Sequence, residues 1–101
     1  MPDDPSLVAT GDLTGPVRGI VADVLMVSRA DVQPDTSLGA LGAESIDFLD
    51  LIFRIEEVIG KKVPVSRWEA FINARLPGAD LSRAITLAIV VEFAEQERNR
   101  T

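Results

Sequence analysis

The residue with the clearest chemical potential is Ser45, a hydroxyl placed at the start of a predicted helix. It follows a turn at Gly42-Ala43, and a serine in this position is a good N-cap because its oxygen accepts an unpaired backbone N–H. The chain has no cysteine and no histidine, so it lacks a thiolate nucleophile and the commonest general base. Only a carboxylate, Lys61 or Lys62 could activate a hydroxyl. We therefore predict that the protein is not an enzyme and that any reactive group it uses is imported.

The helix that begins after Ser45 is predicted to have three different faces. Apolar residues at helical spacing form a stripe for the core: Phe48, Leu51, Ile52, Ile55 and Ile59. A second apolar row lies beside it and consists of Ile46, Leu49 and Phe53. The remaining face is acidic and carries Asp47, Asp50 and Glu57. A helix with two apolar sides and one acidic side needs more explanation than core packing alone.

Negative charge is concentrated around this helix. The chain has a formal net charge of −6, and residues 44–57 contribute −4 of it, from five carboxylates and one arginine. Such a charge argues against nucleic acid and anionic membrane surfaces as partners and favours proteins with basic patches. A row of acids is, however, also the ordinary composition of a solvated helix face.

Helical periodicity predicts a first helix from about Thr14 to Ser28, capped by Thr14 or Asp12 and with Pro16 in its first turn. The connection 30–42 is longer than the usual linker between helices. Three apolar residues in it should anchor it to the core and keep it ordered: Val32, Leu38 and Leu41.

Two further helices are predicted after the central one, which should end near Gly60 with Lys61 beside its negative end. A short helix is expected to open with a capping box at Ser66 and Glu69. The last helix should start between residues 80 and 82 and end near residue 97. Its apolar stretch 84–91 could also be a strand, but the length and the polar continuation favour a helix.

These elements predict an all-α fold, a small four-helix bundle with three longer helices, one short helix and a long first loop. We expect a flexible lead-in at residues 1–13, a single domain at 14–97 and a frayed end at 98–101. The sequence has no apolar run of 18 residues and no basic and then apolar start. We therefore expect a monomer in the cytoplasm without membrane insertion.

The segment Leu41-Gly42-Ala43-Glu44-Ser45-Ile46-Asp47 resembles the signature of the acyl carrier protein family, Leu-Gly-x-Asp-Ser-Leu at the head of an acidic helix. The tripeptide around the serine is a weak signal by itself, and its context gives it weight. In the family, the helix ends in paired acids, followed by a Gly or Phe step and an Ile-Pro or Val-Pro. The matching residues here are Glu56-Glu57, Gly60 and Val63-Pro64, with Asp35-Thr36-Ser37-Leu38 as the loop segment upstream. The resemblance covers roughly residues 14–97.

The resemblance implies that Ser45 carries a 4′-phosphopantetheine arm, attached from coenzyme A by a phosphopantetheinyl transferase. A phosphodiester there would lie at a helix N-terminus, which favours an anion. The terminal thiol would supply the nucleophile that the chain lacks and would hold acyl groups as thioesters. The implied function is to shuttle acyl intermediates between the loading, elongating and transferring enzymes of fatty acid and lipid biosynthesis. Without the surrounding match, a simple helix cap would be the preferred interpretation of Ser45.

The resemblance also implies that these enzymes dock on the central helix through basic patches. The implied docking residues are Glu44, Ile46, Asp47, Leu49, Asp50, Phe53, Arg54 and Glu57. For Leu49 and Phe53, core packing is an equal alternative, whereas Ile46 next to the serine favours docking. A focused negative field would steer basic partners towards Ser45. Neutralising Asp47 and Asp50 together is therefore expected to slow modification with little loss of helicity.

The sequence departs from the family pattern in three places. Glu44 replaces the commoner aspartate, and Arg54 stands where such carriers usually have a small or apolar residue, a change that could select different partners. The stretch 65–80 is longer than usual and contributes Trp68 and Phe71. These aromatic residues either cover the last helix in a carrier dedicated to an unusual acyl chain, such as one for lipopolysaccharide, or form a satellite core cluster.

Three other functions remain open at this point. The same fold could carry amino-acid or polyketide units, because the loading enzyme chooses the cargo. An unmodified, acidic helical interaction module would explain the charge without a cofactor. A divalent-ion site at Asp47, Asp50 and Glu57 is the weakest alternative, because helix-face carboxylates bind ions loosely and no loop has EF-hand spacing.

Overall fold

The computed structural model of the protein describes residues 12–76 and 84–100. The described helices are α1 (Thr14–Leu25), α2 (Ser45–Ile59), α3 (Val65–Arg75) and α4 (Leu87–Asn99). Two short 3-10 helices, Arg29–Asp31 and Gly39–Leu41, lie in the long loop between α1 and α2. None of the described helices is long and apolar enough to cross a membrane. The predicted all-α four-helix architecture is confirmed, whereas the proposed domain boundaries at 13 and 97 stay predictions.

Helix α1 ends earlier than its periodicity suggests, at Leu25 and not near Ser28. Met26 adopts a left-handed conformation with φ 57°, and its N–H donates to the carbonyl of Ala22. At the other end, the Asp12 carboxylate accepts the hydroxyl and the N–H of Thr14, the latter at 2.7 Å. These two hydrogen bonds hold the pKa of Asp12 below its ordinary value. The N-cap residue of α1 is Leu13 and not Thr14 or Asp12 as predicted, and Asp12, one residue earlier, satisfies the first N–H of the helix.

The long loop is anchored to the core and to the start of α4, as its apolar residues predict. The first two of these three anchors are fully buried and the third is half-buried: Val32, Leu38 and Leu41. The Leu38 N–H donates to the carbonyl of Ile85, and the Ala88 N–H donates to the carbonyl of Pro34, both at 2.9 Å. The loop therefore ties the beginning of α4 to the segment that leads into α2.

Helix α4 begins later than the sequence suggests. Thr86, the only polar residue of the apolar stretch 84–91, is extended with φ −112° and ψ 169°, and its hydroxyl accepts the N–H of Ile89 at 3.4 Å. It also forms an isolated antiparallel bridge with Ser37. The expectation that the helix runs through Thr86 is wrong, because threonine satisfies a first-turn N–H as an N-cap. The predicted start at 80–82 lies outside the described residues.

An aromatic cluster joins three of the helices. The ring of Trp68 on α3 lies 5.9 Å from that of Phe48 on α2 and 5.1 Å, edge-on, from that of Phe93 on α4. The Phe71 ring lies 5.3 Å from Phe93. Trp68 is only 8% exposed. Trp68 belongs to the main core and not to a satellite cluster, Phe71 packs half-buried against that core, and both rings contact Phe93 of α4. The prediction that α3 opens with a capping box at Ser66 is wrong. The helix begins at Val65, and its N-cap residue is the extended Pro64.

Polar contacts at the far end of the bundle fix α2 and α3 against α4. The Lys61 ammonium, expected beside the end of its own helix, instead donates to carbonyls at the end of α4, including Arg98 at 2.7 Å. Glu97 is 2% exposed, and its carboxylate accepts from Arg67 of α3 at 2.8 Å and from Arg100 at 3.2 Å. The segment that follows α2 and the end of α4 therefore meet at this end of the bundle.

Candidate functional site

Ser45 is the first residue of α2 and not its N-cap. Glu44 holds the cap position with φ −119° and ψ 173°, and its N–H donates to Oδ2 of Asp47 at 2.8 Å. In return, the Asp47 N–H donates to the Glu44 carbonyl at 2.9 Å. The prediction that Ser45 caps the helix is wrong. Glu44 is the N-cap residue, and Asp47 in the third helical position reaches back and accepts its N–H. The sequence contained this signal in the spacing of Glu44 and Asp47.

The Ser45 hydroxyl is accessible and unengaged. Its side chain is exposed and makes no hydrogen bond to the part of the chain that the structure describes. Gly42, with φ 95°, forms the turn that brings the chain to this position, and the next residue, Ala43, is buried. A phosphate on the Ser45 oxygen would lie at the positive end of a 15-residue helix, where backbone N–H groups and the dipole stabilise an anion. The residues present therefore fit a phosphodiester-linked group.

Asp47 contributes to stability as well as to charge. Replacing Asp47 with alanine should lower the free energy of unfolding by about 0.5–1 kcal/mol, because the Glu44 N–H loses its partner at the start of α2. Urea unfolding followed by circular dichroism measures the loss. Neutralising Asp47 and Asp50 together, which is expected to slow modification with little loss of helicity, should carry this cost in stability as well.

The matched control for Asp47 is Asp50→Ala, which removes a carboxylate one turn later. Asp50 makes an exposed ion pair with Arg54, at 3.3 Å, and no contact with the helix start. Its loss should cost less than about 0.5 kcal/mol. Equal losses in the two variants would contradict a capping role for Asp47.

The second apolar row of α2 faces solvent. Ile46 is 71% exposed, Phe53 65% and Leu49 39%, whereas the first stripe is buried at Phe48, Leu51, Ile52 and Ile55. Core packing, the alternative for Leu49 and Phe53, is therefore wrong. Three large apolar side chains in one exposed row are typical of a surface that contacts another molecule.

A charged flank runs beside this exposed apolar row and consists of Asp47, Asp50, Arg54 and Glu57. The flank is not uniformly acidic, because Arg54 and Asp50 pair at 3.3 Å with side chains 43% and 49% exposed. Glu44 and Glu57 are also exposed. All the predicted docking residues thus share α2 or its cap, and they extend about 18 Å along the helix axis from Ser45 to Glu57.

A cavity of about 630 Å³ opens beside Ser45, between α2, α3 and the residue before the cap of α4. Apolar side chains dominate its lining: Phe48, Leu49, Val65, Trp68, Ile72 and Ile85. Glu69 and Asn73 add polar groups on the α3 side. The sequence did not reveal Ile85 as part of this site, because its position depends on the long-range hydrogen bond from Leu38. An apolar chain attached at Ser45 would find a place to be buried here.

The arrangement of carboxylates does not suit a metal ion. Within residues 12–76 and 84–100, no group of three or more potential ligands comes together. Asp47 and Glu57 lie about 15 Å apart along the helix axis, too far for one ion. The divalent-ion alternative therefore has no site in this part of the chain.

Comparisons with known proteins find a phosphopantetheine attachment family and several acyl carrier proteins. A family described as a phosphopantetheine attachment site matches residues 16–71, a range that includes Ser45, all of α2 and most of α3. The chain is 34% identical over 58 residues to the acyl carrier protein AcpXL of Rhizobium etli, a match covering 56% of this chain and 63% of that protein. It is 33% identical over 58 residues to acyl carrier protein AcpXL of Brucella melitensis, covering 56% and 62%.

A third relative is covered more fully. The acyl carrier protein of Treponema pallidum is 37% identical over 60 residues, which cover 58% of this chain and 77% of that protein. The chain thus spans less than two thirds of the length of the AcpXL relatives that it matches. No solved structure matches.

Proposed function

This chain belongs to the family of acyl carrier proteins with a phosphopantetheine attachment site, and we propose that Ser45 is the attachment residue and that the protein carries acyl groups as thioesters. Proteins of this family are carriers and not enzymes. The observation that carries the proposal is the exposed, unengaged Ser45 hydroxyl at the first position of α2, at the mouth of an apolar cavity.

Attachment is a group transfer catalysed by a partner, a phosphopantetheinyl transferase. The Ser45 Oγ forms a bond to the phosphorus of coenzyme A that bears the pantetheine. The bond from that phosphorus to 3′,5′-ADP breaks, and the serine proton passes to a base on the transferase. The chain contributes a nucleophile that no side chain within residues 12–76 and 84–100 engages, and a helix N-terminus that tolerates the new negative charge. When bound, the 4′-phosphopantetheine arm supplies a terminal thiol, on which an acyl group is held as a thioester.

The cavity beside Ser45 supports an acyl cargo. Its floor is formed by Phe48, Trp68 and Ile72, all buried, and it opens towards the exposed Ser45. Each methylene that becomes fully buried there stabilises the sequestered chain by about 0.8 kcal/mol. Burial would also keep water away from the thioester between visits to enzymes.

The exposed face of α2 supports docking by the enzymes that load, extend and remove the cargo. These enzymes must reach Ser45, and the surface next to it presents Ile46, Leu49 and Phe53 beside the carboxylates of Glu44, Asp47, Asp50 and Glu57. Acidic residues attract partners with basic patches, and exposed charges make such encounters fast, weak and sensitive to salt. We propose that the protein meets these enzymes as a monomer in the cytoplasm.

We propose further that the cargo belongs to a dedicated lipid pathway, such as lipopolysaccharide or another lipid with an unusual long acyl chain. Two observations support this over general fatty acid synthesis. Arg54 interrupts the acidic surface of α2, and the relatives include proteins with the separate name AcpXL as well as plain acyl carrier proteins. Identifying the thioester on protein purified from its native host would test the assignment.

The attachment itself can be tested directly. Incubation with coenzyme A and a promiscuous phosphopantetheinyl transferase should add the mass of one phosphopantetheine, and fragmentation should place it on Ser45. The half-buried Ser37 and the exposed Ser66 serve as internal comparisons in the same spectrum. Absence of a mass gain under conditions that modify a control carrier, or a modification on another serine, would overturn the proposal.

A further inference from the structure

We propose that Arg54 determines partner specificity. It favours partners that present a carboxylate opposite the middle of α2, and it disfavours partners whose contact surface is cationic throughout. This inference rests on the proposed function, since it concerns the enzymes that come to Ser45. The inference specifies the charge pattern that the docking surface of such an enzyme must have.

Arg54 lies where a partner bound near Ser45 must contact it. With 3.6 residues per turn, Arg54 projects from the charged flank of α2, about 100° around the helix axis from Phe53 in the exposed apolar row. Ser45 and Arg54 are about 14 Å apart along the helix axis. An interface of ordinary size, about 800 Å² on each partner, covers both positions. A partner that covers the exposed apolar row, in which Phe53 is 65% exposed, together with the charged flank of the same helix therefore meets the Arg54 guanidinium.

The charges along the flank define the complement. The Arg54 guanidinium lies 3.3 Å from the Asp50 carboxylate, so the two charges cancel and the middle of the flank carries no net charge. Asp47 remains acidic near Ser45, and Glu57 remains acidic one turn beyond Arg54. A complementary partner has cations at the two ends and a carboxylate in the middle. A uniformly basic partner would bring a cation against Arg54 and lose binding energy there.

The competing explanation is that Arg54 only supports its own helix. An acid four residues before an arginine is a common stabilising pair on exposed helix faces. Both side chains are about half-exposed, so the pair is weak and a partner can open it at little cost. A purely intrahelical role would make the effect of changing Arg54 independent of the partner's charge. This difference makes the two explanations separable by experiment.

The test measures kcat/KM for phosphopantetheine transfer at low salt with two forms of one transferase. One form has a basic docking surface, and in the other the cation that faces position 54 is changed to glutamate. With the basic form, Arg54→Glu should raise kcat/KM by about fivefold, and with the reversed form it should lower kcat/KM by a similar factor. Both effects should fade at high salt.

Arg75→Glu is the matched control. Arg75 makes an ion pair with Glu92 at 3.1 Å, and its side chain is 50% exposed, but it lies on α3 in the groove facing α4 and not on α2. The change in net charge is the same, so Arg75→Glu reports the effect of total charge alone. We expect it to alter kcat/KM little with either form of the transferase.

Two results would overturn the inference: equal effects of Arg54→Glu and Arg75→Glu, or an effect of Arg54→Glu with the same sign for both transferases. These results differ from failure of the proposed function. If Ser45 accepts no phosphopantetheine from either form, the carrier assignment itself fails. If Ser45 is modified at rates that ignore residue 54, only the specificity role of Arg54 fails.

Discussion

The Ser45→Ala variant should accept no phosphopantetheine and yet be as stable as the unmodified wild-type protein. Modification requires the hydroxyl, so the expected loss is complete. Stability should change by less than about 0.5 kcal/mol, because the Ser45 side chain makes no hydrogen bond with the described residues and Glu44 with Asp47 caps the helix. Intact mass after incubation with coenzyme A and a transferase gives the first quantity, and urea unfolding gives the second.

The combination of these two results separates an attachment site from a cap. If Ser45 were the N-cap, its replacement by alanine would cost about 1 kcal/mol. Ser37→Ala is the control, since Ser37 is a half-buried loop serine whose hydroxyl accepts the Ala40 N–H at 3.2 Å. That variant should keep the full mass gain. A mass gain that survives in Ser45→Ala, or a marked loss of stability in it, would contradict the assignment.

The Trp68→Ala variant should be destabilised by about 3–5 kcal/mol, the usual cost of deleting a buried large aromatic residue. Trp68 is 8% exposed and its ring contacts those of Phe48, Phe71 and Phe93, so its removal opens a void between three helices. A domain of this size has a total stability of about 5–15 kcal/mol, and the variant should therefore be partly unfolded at moderate temperature. Thermal unfolding followed by circular dichroism measures the shift.

Two further variants show whether the stabilisation by Trp68 comes from its burial or from its aromatic character. Trp68→Phe keeps a ring against Phe93 and should lose much less stability than Trp68→Ala. Phe53→Ala removes an aromatic residue that is 65% exposed on α2, and it should change stability by less than about 0.5 kcal/mol. A Trp68→Ala protein as stable as Phe53→Ala would show that the aromatic cluster does not hold α3 to the bundle.

Local patterns in the sequence predicted the all-α fold, whereas the choice of Ser45 as the attachment residue came from the resemblance of its surroundings to the acyl carrier protein signature. Apolar residues at helical spacing predicted α2 and its buried stripe, because the period of the helix decides which side chains share a face. The four helices, the ordered loop and the core aromatics followed from the same reasoning. Ser45 lies directly before that pattern, but this position alone would have indicated only a helix cap.

The errors arose where two residues compete for one role or where distant segments meet. Serine is a favoured N-cap residue type, so the sequence pointed to Ser45, but Glu44 holds the cap position and its N–H donates to Asp47. Thr86 lies inside an apolar stretch with helical length, which predicted a helix interior, but in the structure it is the extended N-cap of α4. The contacts of Lys61 with the end of α4 span more than 35 residues of sequence, and no spacing rule predicts them.

The position of Trp68 gives the protein a built-in optical reporter. The chain has one tryptophan and no tyrosine, so its near-ultraviolet emission comes almost entirely from an indole in the wall of the cavity beside Ser45. Indole emission shifts with the polarity around the ring. The emission maximum of Trp68 should therefore move to a shorter wavelength when water leaves this cavity. Occupancy of the cavity can therefore be followed in real time without a dye or an isotope.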